Sequence, residues 1–85
     1  MNPIKRTYKL EIGSNVRKWR ELRGYKQEFL AVKLGITKAA LSNIENNKTD
    51  LSLHRIEDIA CCLELDVMKL FINPVDLLIP PPPRN

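Results

Sequence analysis

Glycine is scarce in this chain, with three residues in 85, and cysteine and histidine are scarcer still, at two and one. The glycines at 13, 24 and 35 are too dispersed for a Gly-rich phosphate loop, and no oxyanion donor set or substrate pocket is legible beside them. Side chains that would hold a metal or act as thiolate and base reduce to His54, Asp58 and Cys61, at i, i+4 and i+7 of one helical face. Three ligands from one helix lack the fourth that a closed zinc site requires. Cys61 and Cys62 are adjacent, and helical neighbours point about 100° apart, so a disulfide between them has poor geometry. Two thiols fit a reducing compartment. No apolar run approaches the ~20 residues of a membrane span, and the N-terminus lacks the apolar core of a signal peptide. A cytoplasmic protein with no membrane partner is expected, and it carries no evident catalytic residue, metal, cofactor or small-molecule substrate.

Acidic residues are also thin in one half of the chain. Residues 1 to 48 hold eleven Lys and Arg against Glu11, Glu21, Glu28 and Glu45, a net of +7, whereas residues 49 to 85 hold three basic residues against six acids, a net of −3. Such asymmetry suggests a polyanion as partner of the front half, with a merely solvated basic face as the alternative. Eighty-five residues at 44% hydrophobic composition make one small domain with a limited core, of a size often helped by a second subunit.

The stretch "IKRTYKLEI" alternates weakly and reads as a short strand or an arm over residues 1 to 11. From Ile12 the period changes: Ile12, Val16, Trp19 and Leu22 line one face of a helix over about 12 to 23, closed by Gly24. "QEFLAVKLG" predicts helix 2 over about 27 to 34, with Phe29 or Leu30, Ala31 and Leu34 inward and Gly35 ending it. Thr37 caps helix 3, about 38 to 46, whose apolar seam is only Leu41 and Ile44. Ser52 caps helix 4, about 52 to 63, with Leu53, Ile56, Ile59, Ala60 and Leu63 as its stripe. Asp66 caps a last short helix in "VMKLF", and Asn73-Pro74 breaks it. Beyond lie the apolar clump Val75, Leu77, Leu78 and Ile79 and four prolines that favour extended polyproline. Trp19 and Tyr25 read as core and turn packing.

Helices 2 and 3, joined by Gly35-Ile36-Thr37, have the sequence shape of a helix-turn-helix, with small Ala31 where the helices cross. Outside Leu41 and Ile44, helix 3 presents Lys38, Ala39, Ala40, Ser42, Asn43 and Glu45. A face that short and hydrogen-bonding fits the ~12 Å major groove, where lysine donates to guanine, asparagine pairs with adenine and alanine touches the thymine methyl.

From Ile12 to Phe71 the chain resembles the lambda-repressor-like, Cro/C1-type (XRE) helix-turn-helix family. The marks are Ile12-Gly13, Arg20, Gly24, Gln27, Leu30-Ala31, Gly35-Ile36, Leu41-Ser42, Ile44-Glu45, Ser52-Leu53, Ile59-Ala60, Leu63 and Leu70-Phe71, in order and at family spacing. The resemblance implies an all-α, five-helix DNA-binding domain over residues 12 to 72, acting as a homodimer on double-stranded DNA with helix 3 in the major groove. It implies base contacts from Gln27, Lys38, Ala39 and Asn43, with a phosphate contact as the alternative for Gln27. Phosphate contacts are implied from Lys26, Ser42, Asn46 and Lys48, and an ion pair between Arg20 and Glu45 that ties helix 1 to the end of helix 3. Residues 73 to 85 fall outside it as an apolar and Pro-rich tail, expected to pack either on its own domain or, as a dimerising element, on a second subunit.

Three positions depart from the family. Lys26 stands where Ser, Thr or Asn caps helix 2 and cannot accept the amide bonds of a cap. Asn47 replaces a common glycine, which asparagine's access to the left-handed region tolerates. Glu64 replaces the glycine that often ends helix 4. The expected function is a sequence-specific transcriptional regulator reading a palindromic operator. The alternatives are an antitoxin or restriction-modification controller of the same fold, or an adaptor that binds protein rather than DNA.

Overall fold

A computed structural model describes residues 11 to 78. It is all-helical over that span: α1 Ile12–Leu22, α2 Gln27–Leu34, α3 Lys38–Glu45, α4 Leu53–Cys62, a 3₁₀ helix Val67–Phe71 and α5 Pro74–Leu78. The arm before Glu11 and the tail from Ile79 lie outside the described residues, so the strand expected in the one and the polyproline run expected in the other are not addressed.

Each apolar stripe turns most of its residues into one core, but Leu22 and Leu53, expected on the inward faces, are 63% and 64% exposed, because each is a terminal residue of its helix. Val16, Leu30, Leu41, Ile59, Leu63 and Leu70 are fully buried, with Ala31, Ile44, Ile56 and Ala60 beside them. Leu30, not Phe29, is the inward residue of α2; Phe29 is half-exposed and stacks on Tyr25 with ring centroids 4.8 Å apart. Ala31 is buried in the same core at 2% exposure.

Local punctuation works as hydrogen-bond chemistry dictates. Thr37 Oγ1 accepts from Ala40 N at 3.0 Å, Ser52 Oγ from Arg55 N at 3.1 Å and Asp66 Oδ1 from Met68 N at 3.0 Å. These bonds satisfy amides that a helix start leaves open. Gly35 ends α2 at φ 70°, as the turn into α3 requires. Lys26 occupies the N-cap of α2 with no side-chain bond.

Two expectations near the C-terminus need correction. "VMKLF" forms a 3₁₀ turn rather than an α-helix: Lys69 N donates to the Asp66 carbonyl and Ile72 N to the Lys69 carbonyl, each three residues back, before Ile72 turns extended. Pro74 ends nothing further: its fixed φ and missing amide suit the first position of a new helix, and Asn73 Oδ1 accepts from Val75 N at 3.0 Å to start α5. The fifth α-helix therefore lies one segment later than expected. Helices α1 and α4 are shorter than expected, with Arg23, Ser52 and Leu63 in cap positions.

Polar side chains tie distant segments together. Asn15 Nδ2 donates to the Leu70 carbonyl at 3.0 Å, and Trp19 Nε1 to the carbonyls of Lys69 and Ile72 at 3.0 and 3.2 Å. Arg23 donates to the carbonyls of Leu63 and Glu64 at 2.8 and 2.9 Å, satisfying acceptors that the end of α4 leaves open. Glu64 itself sits at φ 58°.

Candidate nucleic-acid interface

Helix α3 begins on the Thr37 cap and turns Leu41 and Ile44 into the core, so Lys38, Ala39 and Asn43 face outward and are exposed, with Ser42 half-buried. Its C-terminal end is held from two directions. Glu45 is 4% exposed, and its carboxylate accepts from Arg20 Nε at 2.7 Å and Nη2 at 3.1 Å, a bidentate pair joining α1 to α3. Arg20 Nη1 donates to the Tyr25 carbonyl at 2.6 Å, and Gln27 Nε2 donates to Glu45 Oε1 at 3.1 Å. Carboxylate, guanidinium and amide thus satisfy one another inside the fold, which buried charge requires.

The second tether follows directly. Asn47 sits at φ 59°, and its side chain accepts from Ser14 N at 3.2 Å while donating to Ser14 Oγ at 2.7 Å. It supplies α1 with a cap that Glu11 does not provide. Gly13 makes the approach possible: a Cβ there would collide with the Ile44 carbonyl oxygen and come within 2.6 Å of Asn47 Oδ1.

Among the other expected contacts, Asn46 is exposed beyond α3 and its amide donates to the Ser42 carbonyl at 2.9 Å. Lys48 and Lys26 are exposed on either side of the helix-turn-helix, and Lys38 Nζ donates to Glu28 Oε1 at 3.2 Å. Arg17, Gln27, Lys38, Ser42 and Asn46, with the Arg20–Glu45 pair, line one open cleft of about 370 Å³. The structure thus gathers Gln27, Lys38, Ser42 and Asn46 around a cleft, with Ala39 and Asn43 exposed on the same short helix and Lys26 and Lys48 outside its lining.

Two cationic features shape this surface. Arg17 reaches the cleft because it lies three residues before Arg20 and so shares the α1 face turned toward α3, a spacing visible in the sequence. Its Nε lies 3.4 Å from Glu21 Oε2. Conversely, Arg20 and Arg23 count toward the basic front half but are consumed by internal bonds.

Elsewhere, His54 Nε2 lies 3.6 Å from Asp58 on the exposed side of α4. Burial first, then the neighbouring Cys61 and Asp58, push the Cys62 thiol up against the opposing pull of Lys33. Both cysteines are free. Among the described residues no three His, Cys, Asp or Glu side chains cluster as metal ligands, and no helix is long and apolar enough to cross a membrane.

A helix-turn-helix family model matches residues 16–70. A comparison with curated proteins gave no match. Among solved structures, the chain is similar to the regulator of biofilm formation SinR in complex with DNA, at 34% identity over 72% of this chain and 98% of that one, with a TM-score of 0.64. It is similar to the restriction-modification controller C.AhdI from Aeromonas hydrophila, at 26% identity over 72% and 92%, TM-score 0.67. The controller C.Esp1396I is 28% identical over 82% and 93%, TM-score 0.67. With more than half its length matched and its recognition helix built as described, the chain belongs to the Cro/C1-type helix-turn-helix family of DNA-binding regulators.

Proposed function

We propose that two copies of this chain bind a two-fold symmetric operator, each laying α3 in the major groove to regulate transcription. The observation that carries this reading is the outward face of α3: exposed, polar and short, on a helix whose inward face is held by a buried ion-pair network. Lys38, Ala39 and Asn43 read base edges, with Gln27 at the rim. Lys26, Ser42, Asn46 and Lys48 meet phosphates, and no catalytic residue, metal or cofactor takes part. The likeness to two restriction-modification controllers supports a controller of that kind as the second reading.

The dimer draws on the apolar surface that α1 and α5 leave open. Leu22 is 63%, Leu77 53% and Val75 45% exposed, and Lys18, Glu21, Leu22, Pro74 and Val75 line a groove between the helices.

Titrating DNA binding against salt tests the electrostatic part. Lys26 and Lys48 of each subunit, four lysines per dimer, give a slope of log affinity on log salt of about −3.6 at 0.9 per neutralised phosphate. Asn43→Ala should cost about 1 to 3 kcal/mol on the preferred operator and much less on scrambled duplex. Lys48→Ala should weaken both DNAs alike and flatten the slope by about 0.9 per subunit. Equal losses on both DNAs for Asn43→Ala would remove it as a base reader, and affinity indifferent to salt would remove DNA as the partner.

A further inference from the structure

The one cation at the start of α3 does not face the groove alone. Lys38 is the first residue of α3, and helical side chains lean toward their own N-terminus, which brings its ammonium back over the start of α2. There Glu28, in the first turn of α2, accepts from Lys38 Nζ at 3.2 Å. The two side chains are 59% and 71% exposed, so this is no folding device. It is an acceptor and a donor fixed side by side at the rim of the reading surface.

We infer that Glu28 is a specificity-determining residue, and that the Lys38–Glu28 pair recognises one G·C base pair in each half-site. This rests on the DNA-binding reading above. A lysine only donates and a carboxylate only accepts. In the major groove a G·C pair sets the guanine O6 and N7 acceptors beside the cytosine N4 donor, so ammonium and carboxylate meet complementary edges of one pair. An A·T pair sets its adenine N6 donor between the adenine N7 and thymine O4 acceptors, with the methyl group beyond, so the ammonium meets single acceptors instead of O6 and N7 side by side and the order of donor and acceptors does not match. The carboxylate has a second effect. It opposes phosphate and holds Lys38 from promiscuous capture by the backbone, so it lowers affinity for DNA of arbitrary sequence.

Glu57 supplies the control: it is an exposed carboxylate on α4 that lines neither the cleft nor the groove between α1 and α5. Preferred sequences are selected from a random duplex pool with the wild-type chain, Glu28→Gln, Lys38→Met and Glu57→Gln, and affinities are measured on the selected and a scrambled duplex. The wild type should show a G·C position in each half-site that discriminates by about 5- to 150-fold, the range of one good base contact. Glu28→Gln and Lys38→Met should both lose that position. Glu28→Gln should also tighten binding to scrambled duplex, with a salt slope steeper by up to about 0.9 per subunit. Glu57→Gln should leave the selected sequence unchanged.

A Glu28→Gln selection identical to the wild type overturns the inference and leaves the DNA reading standing. So does loss of the same position in Glu57→Gln, which would make the effect one of general charge. A wild-type chain that enriches no sequence brings down both.

Discussion

Arg20→Met removes three hydrogen bonds at once, two to Glu45 and one to the Tyr25 carbonyl, while keeping a side chain of similar length. The Glu45 side chain, 2% exposed, then retains only the amide of Gln27 among its described partners. An uncompensated charge in such a site costs about 3 to 5 kcal/mol, against a total stability of roughly 5 to 15 kcal/mol for a domain. At ~4 to 8 °C per kcal/mol in a domain of this size, Tm should fall by about 12 to 40 °C. Urea unfolding followed by far-ultraviolet circular dichroism reads the loss as a lower midpoint at unchanged slope. The double variant Arg20→Met with Glu45→Leu should recover most of it, since an apolar pair of similar volume often matches a buried ion pair in stability. A single-variant loss under about 1 kcal/mol, the value of an exposed pair, would refute the reasoning. So would a double variant no more stable than the single.

Asn47→Ala should destabilise by about 1 to 2 kcal/mol in the same assay, losing both the Ser14 cap and asparagine's tolerance of positive φ, whereas Asn47→Gly should lose only the cap. If the two variants were equally stable, the backbone part of that account would fail. Glu64→Gly should raise stability by about 1 kcal/mol, because a left-handed residue is relieved and the Arg23 bond runs to its backbone carbonyl. An unfolding midpoint that stays put or falls would contradict it. Truncation after Asn73 removes α5 and the tail and should shift light-scattering mass from dimer to monomer; an unchanged dimer would take this surface out of the assembly.

What was legible in the sequence was what repeats or sits close by. The stripe through Val16 and Leu41–Ile44 follows helical spacing, and the caps at Thr37, Ser52 and Asp66 act within three residues of themselves. The outward set Lys38, Ala39 and Asn43 is the complement of that seam. Missing from view were single polar contacts between remote segments: Asn47 to Ser14 across 33 positions, Arg23 to Leu63 across 40, Trp19 to Lys69 across 50 and Asn15 to Leu70 across 55. Such bonds have no period, and each depends on the fold already being in place. The same blindness made Arg23 look like one more unit of basic surface, and left Glu28 as one of four acids in a charge count.

The tethers of α3 all lie on one side of it. Thr37 works through its backbone-facing hydroxyl, Leu41 and Ile44 through the core, and Glu45 and Asn47 through α1, so stability asks nothing of Ala39 or Asn43 and only an exposed pair of Lys38. On the proposed reading, folding and recognition are written on separate letters of an eight-residue helix. A lineage carrying this chain would then be free to change its operator by exchanging those outward letters one at a time, each intermediate remaining folded, because none of those side chains belongs to the tethers that hold α3. Recognition in this molecule is a dialect that can drift while the grammar of the fold stays constant.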